Sequence, residues 1–143
     1  MTTYVIDASV ASRFLLVEDL SDEAGSLLEG FLDGSLDLEA PELVVYEVGN
    51  TLWKSAKQGL VTAHEASQKF SYFLKLRIDS IKLNEEDHRE VLQWSLENKA
   101  TYYDSAYVKA SEKVKATLLT ADDVLYTKAC RKTPTLHLKD LQK

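Results

Sequence analysis

Four acidic residues stand where a fold could gather them. Asp7 closes the apolar run of Tyr4-Val-Ile-Asp7-Ala-Ser9. Glu47 lies in Pro41-Glu-Leu-Val-Val-Tyr-Glu47-Val-Gly-Asn50, Asp104 in Thr101-Tyr-Tyr-Asp104-Ser-Ala-Tyr-Val, and Asp122 in Leu118-Leu-Thr120-Ala-Asp122-Asp123. Oxygen ligands of this hard kind suit Mg²⁺ or Mn²⁺, which keep several waters that a substrate phosphate can replace. Carboxylates crowded together without a cation would repel one another. Zinc fits less well. His64, His88 and His137 have no close ligand-like spacing, and they read as surface or partly packed side chains.

Each acid also admits a structural role. Asp7 can point into a crevice at a strand end or cap the helix that follows. Glu47 follows Val44 by three residues, so it borders an apolar helical stripe and can be an ordinary boundary glutamate. Asp104 falls in a first helical turn, where negative charge is favoured in any case. At the last motif, Thr120 as N-cap would put Asp123 at the third helical position, folding back as in a capping box. That register gives Asp123 the structural role and frees Asp122 for the site.

The elements that must position these acids alternate along the chain. Short strands are expected at 3–6, 36–40, 80–83, 116–119 and 135–138, the second being the least regular because Asp37 and Glu39 interrupt it. The first and fourth carry apolar residues in succession, as buried parallel strands do. Helical stripes lie between them: Val10, Phe14 and Val17; Ala24, Leu27, Leu28 and Phe31; Leu43, Val44, Val48, Leu52 and Ala56. Ala66, Phe70, Phe73 and Leu74 follow a cap at Thr62 with Glu65 three residues on. A weaker stripe runs through Val91, Leu92, Trp94 and Leu96; Tyr103, Ala106, Tyr107 and Ala110 form the next helix, and Val124, Leu125 and Ala129 the last. Strands alternating with helices imply a parallel sheet covered on both faces, with ligands at the carboxyl ends of its strands.

Composition narrows the class. The chain has 143 residues, enough for one domain with its own core, and 45% of them are hydrophobic. Cys130 is the only cysteine, so no disulfide can form within the chain, which suits a reducing cytoplasm. The start has no basic segment leading an apolar core, so no signal peptide is expected, and no apolar run approaches the ~20 residues that span a membrane. The formal charge of −6 argues against holding nucleic acid by bulk electrostatics alone. It leaves room for a carboxylate site whose local field a cation reverses. Lys109, Lys113, Lys115, Lys128, Arg131 and Lys132 crowd the C-terminal third, as solvated helix faces or as contacts for a phosphate backbone.

Taken together and in order, the four motifs resemble the PIN domain, most closely the VapC type of toxin ribonuclease, over nearly the whole chain. The resemblance implies an α/β fold over residues 1–143: three α/β/α layers around a five-stranded, mainly parallel sheet of order 3-2-1-4-5. It implies Mg²⁺- or Mn²⁺-dependent cleavage of RNA, frequent homodimerisation, and a small antitoxin protein that blocks the site. Matched position by position, the family's acids fall on Asp7, Glu47, Asp104 and Asp122. Its small hydroxyl beside the first acid falls on Ser9, and its threonine before the last on Thr120. A housekeeping RNA-processing nuclease and a non-catalytic module of the same fold are the rival readings. A phosphoacceptor signalling domain shares only the fold class. It needs an aspartate ending the third strand, where this chain has Leu83-Asn84-Glu85, and usually an acidic pair after the first, where it has Asp7-Ala8.

Overall fold

Adjacent residues of a strand face opposite sides of its sheet, so consecutive fully buried residues mark a strand covered on both faces. In the computed structural model, which describes residues 1–141, Val5 and Ile6 are both 0% exposed, and so are Leu118 and Leu119. They belong to β1 (Thr2–Ile6) and β4 (Thr117–Thr120), which pair in parallel with Val5 opposite Leu118. β2 (Leu36–Pro41) flanks β1 on its other side, with β3 (Asp79–Ile81) beyond it, and β5 (Thr135–His137) lies outside β4. The order is β3-β2-β1-β4-β5, and all four pairings are parallel. The expected sheet order is thus present.

Helices surround this sheet. α1 (Ala8–Ser12) and α2 (Ser21–Leu32) join β1 to β2, and α3 (Leu43–Lys57) and α4 (Ala63–Lys75) join β2 to β3. α5 (Glu85–Asn98) and α6 (Tyr102–Val114) cross back to β4, and α7 (Asp123–Ala129) leads to β5. Their ends follow sequence chemistry. Thr62 and Glu65 close a reciprocal capping box at the start of α4, each bond 3.0 Å. Asn84 and Asp87 do the same at α5, and Asp87 also receives Lys113 Nζ at 2.6 Å, which ties α5 to α6. α6 packs over β1, β2 and β4, so the helix carrying Asp104 lies across the centre of the sheet.

Several expectations need correction. The stripe Val10, Phe14, Val17 does not form one helix: α1 stops at Ser12, and Val17 is 98% exposed. Arg13 turns back there, donating to the carbonyls of Ser9 (2.8 Å) and Asp19 (2.9 Å) and so fixing a loop where periodicity alone suggests helix. The third strand ends at Ile81 rather than Leu83, because the Lys82 carbonyl accepts from Lys113 instead of a neighbouring strand. The second strand forms despite its acidic residues. β5 gives way at Leu138 to a single 3₁₀ turn, Leu138–Asp140.

From β1 the chain builds outward to β2 and β3, then returns to place β4 on the opposite side of β1. The strand order therefore reverses between β1 and β4, where a parallel sheet opens a crevice at its carboxyl edge. Asp7 directly follows β1, and Asp122 follows β4 by two residues.

Candidate active site

Asp7 is buried, 4% exposed, and both of its carboxylate oxygens are held. Oδ1 accepts from the Ser9 hydroxyl at 2.6 Å and from the Val10 N–H at 3.2 Å, so Asp7 caps α1 while sitting in the crevice. Oδ2 accepts from the Thr120 hydroxyl at 2.6 Å. One Asp7 oxygen thus caps α1 and the other ties the end of β1 to the end of β4.

Ser9 and Thr120 link the ends of the two central strands. Their hydroxyl oxygens stand 3.3 Å apart; Ser9 Oγ accepts from Ala121 N–H at 2.9 Å, and Thr120 Oγ1 from Asp122 N–H at 3.0 Å. This pins the turn after β4 to the turn after β1. Thr120 is consequently the last residue of its strand rather than a helix cap. Asp122 is the N-cap of α7, its Oδ1 accepting from Leu125 N–H at 2.9 Å. Asp123 is the first helical residue, and its exposed carboxylate meets Nε2 of His137 at 2.8 Å. The expected capping register is therefore wrong, and His137 is buried, more fully packed than the surface or partly packed place expected of it.

Glu47, half-buried on α3, accepts from the Tyr107 hydroxyl at 2.6 Å. Tyr107 lies one turn after Asp104 on α6 and is 1% exposed. In the sequence Tyr107 stands out only as part of a helical stripe; the one further signal is its spacing of three from Asp104, which puts both on one helix face. Asp104 itself is half-buried, its helix opened by a bond of 3.1 Å from its own N–H to Thr101 Oγ1.

Electrostatics join the four acids. Burial pushes the Asp7 carboxyl up from 3.8 to about 6, against the lowering pull of Ser9, Thr120 and Val10, with a further upward push from the Asp122 charge. Burial also raises Asp104, followed by the charges of Asp122 and Glu47; Thr101 and Lys128 act the other way. Tyr107 is raised by burial, by its bond to Glu47 and by the charges of Glu47 and Asp7, so its hydroxyl stays protonated as a donor. The fields of Asp7, Asp122, Asp104 and Glu47 thus overlap in sequence around Tyr107. Among the described residues, none of these carboxylates forms a salt bridge with lysine or arginine.

The donor set fits a hard cation. As the side chains stand, no three histidine, cysteine, aspartate or glutamate residues among those described converge closely enough to enclose a metal ion. An ion that keeps most of its waters would need only one or two of these carboxylates directly. The basic residues of the C-terminal third contribute less than their number suggests. Lys113 is bonded to Asp87, Lys109 to Glu90, Lys128 to the Lys99 carbonyl, and Lys132 lies 3.7 Å from Glu112.

Residues 4–130 match the family model described as PIN domain. Over 128 residues the chain is 33% identical to "Ribonuclease VapC3" of Pyrobaculum aerophilum, an alignment covering 87% of this chain and 92% of that protein. It is 37% identical over 87 residues to "Exonuclease VapC9" of the same organism, covering 60% of this chain and 62% of that one. The crystal structure of PAE2754 from Pyrobaculum aerophilum superposes with a TM-score of 0.72 at 24% identity, covering 96% of this chain and 90% of that chain, which is a likeness of fold.

Proposed function

Since the chain belongs to the PIN-domain family, we propose that it is a divalent-metal-dependent endoribonuclease, the toxin of a VapBC-type toxin–antitoxin pair. The observation carrying this reading is the buried Asp7 carboxylate, held by Ser9 and Thr120 and facing the charge of Asp122, which with Glu47 also acts on Asp104, while none of the four has a paired lysine or arginine among the described residues. Such a group is costly unless a metal ion supplies the missing charge. Asp7 and Asp104 would be the main direct ligands of Mg²⁺ or Mn²⁺, with Glu47 and Asp122 facing its retained waters or a second ion.

When bound, a divalent cation makes water a stronger nucleophile at neutral pH and stabilises charge on a phosphodiester undergoing in-line displacement. The chain's own part is positioning. Ser9 and Thr120 hold the two Asp7 oxygens with hydroxyl donors, so the carboxylate cannot rotate freely. Thr120 also fixes the backbone of Asp122, and Tyr107 fixes one oxygen of Glu47. Asp7, Glu47 and Asp122 are in this way positioned before substrate arrives.

The proposal includes a single domain across 1–143, action in the cytoplasm, an RNA substrate, a homodimer and a small antitoxin protein that covers the site. Among the described residues no helix is long and apolar enough to cross a membrane. An exonuclease is a specific second reading, because one relative carries that name. Circular single-stranded RNA separates the two. In Mg²⁺ the protein is expected to linearise the circle and then fragment it. A protein that shortens linear RNA but leaves circles intact is an exonuclease, and one that leaves both intact is a binding module.

A further inference from the structure

Each of two site acids is preceded by an exposed tyrosine. Tyr46 precedes Glu47 on α3 and Tyr103 precedes Asp104 on α6; they are 67% and 56% exposed. Neighbouring helix residues point about 100° apart, so the turn that aims an acid inward aims its predecessor outward. The Cα atoms of each pair are about 3.8 Å apart, well within one nucleotide's reach. An aromatic ring gains most of its contact energy when a flat partner covers its face. Trp53, also exposed, has its ring covered by Lys57 Nζ at 4.9 Å. Among the described residues no ring or cation stacks on Tyr46 or Tyr103, and neither belongs to the packed core.

The two rings also line adjoining grooves. One, of about 560 Å³, holds Glu47 and Lys54; the other, of about 560 Å³, leads toward Lys82 and His88, and Tyr46 and Tyr103 wall both. A chain of net charge −6 gains little from Coulomb attraction to a polyanion. Affinity for RNA has to come largely from contacts that do not depend on charge, and stacking of unpaired bases on aromatic rings is such a contact. Bases within a duplex present no free face, so the fit is to a single strand.

We propose that Tyr46 and Tyr103 form a base-stacking subsite that seats the nucleotides flanking the scissile phosphate of single-stranded RNA. Lys54 and Lys82 lie at its two ends for the neighbouring phosphates. The proposal rests on the nuclease reading for its substrate, while its test reads binding independently of cleavage.

The test uses the Asp7→Asn protein in Mg²⁺ with a fluorescein-labelled single-stranded RNA decamer, followed by anisotropy. Adding Tyr46→Ala or Tyr103→Ala is expected to weaken binding about tenfold each, whereas Phe at either position keeps it within about twofold. The losses persist at high salt, and a decamer with abasic sites binds all forms equally weakly. Parent-like binding by the alanine variants overturns the subsite, as does abasic RNA that binds as tightly as intact RNA. Loss with phenylalanine equal to that with alanine also overturns it, since the hydroxyl rather than the ring face would then matter. Sedimentation of the RNA-free proteins supplies a further arm. If the alanine variants change the oligomeric state and leave RNA affinity intact, the tyrosines join copies of the chain and the proposal fails. Cleavage by the otherwise wild-type protein separates the two readings. Normal cleavage with an unchanged KM in the tyrosine variants sinks the subsite alone. Tyrosine-dependent binding by a protein that never cleaves sinks the nuclease reading alone.

Discussion

Asp7 carries a buried carboxylate whose hydrogen bonds from Ser9, Thr120 and Val10 do not fully offset its burial. In the metal-free protein the folded state holds this proton more tightly than the unfolded chain does. The resulting contribution to stability is full below pH about 4 and is lost as pH rises through about 6. A shift from 3.8 to about 6 corresponds to on the order of 3 kcal/mol. Asp7→Asn should therefore raise the Tm of metal-free protein at pH 7, with the gain vanishing near pH 4, and should abolish cleavage. Thermal melts across that range in EDTA check the first part; an Asn variant less stable at pH 7 would show that the charge is better solvated than its burial implies. Tyr107→Phe removes the donor to Glu47 and keeps the packed ring. It should weaken metal affinity about tenfold, read by Mn²⁺ titration, with little change in Tm. Asp7 was legible as an acid ending an apolar strand. Tyr107 was not, because a tyrosine in an apolar stripe reads as core until the residue facing its hydroxyl is known.

At the level of elements, the start of α7 is where local reading failed. A threonine followed three residues later by an acid resembles a capping box, but Thr120 Oγ1 donates to a residue 113 positions away and extends its strand by one residue. A contact that distant leaves no local pattern. The consequence for substitutions is specific. Asp122→Asn should keep the cap, since asparagine caps as well as aspartate, and should lower cleavage. Asp122→Ala should lose both, with about 1 kcal/mol of stability attached to the cap. Asp123→Ala should leave cleavage intact and cost about 1 kcal/mol or less, through the lost bond to buried His137. Melts and cleavage assays on these three variants check the order; an Asp123→Ala protein that cannot cleave would transfer the site to Asp123. The capping box at Thr62, by contrast, is legible in the sequence because both of its partners lie within one turn. The stripe Val10, Phe14, Val17 suggests a longer α1 because nothing local shows that the Arg13 side chain satisfies loop carbonyls instead of facing water.

At the scale of the whole molecule, alternating strands and helices were visible in the periodicity, and buried runs such as Val5–Ile6 marked parallel strands. The order β3-β2-β1-β4-β5 was available only through resemblance, since it depends on which side of β1 each later strand takes. That order brings residues from 7, 47, 104 and 122 to one edge. A metal ion held there should stabilise the folded state by mass action, about 2.7 kcal/mol at a hundredfold excess over its Kd. Tm should accordingly rise with Mg²⁺ or Mn²⁺ and fall back in EDTA, and this rise should shrink in the Asp104→Asn protein. The most direct test of the central claim is the single-turnover rate of cleavage of one single-stranded RNA against Mg²⁺ concentration, for the wild type and for Asp7→Asn. With a metal ion held through Asp7, the wild-type curve saturates and collapses in EDTA, and the Asp7→Asn rate is at least about a hundredfold lower with no plateau in the same range. A wild-type rate unaffected by EDTA, or an Asp7→Asn curve overlying the wild type, would contradict it.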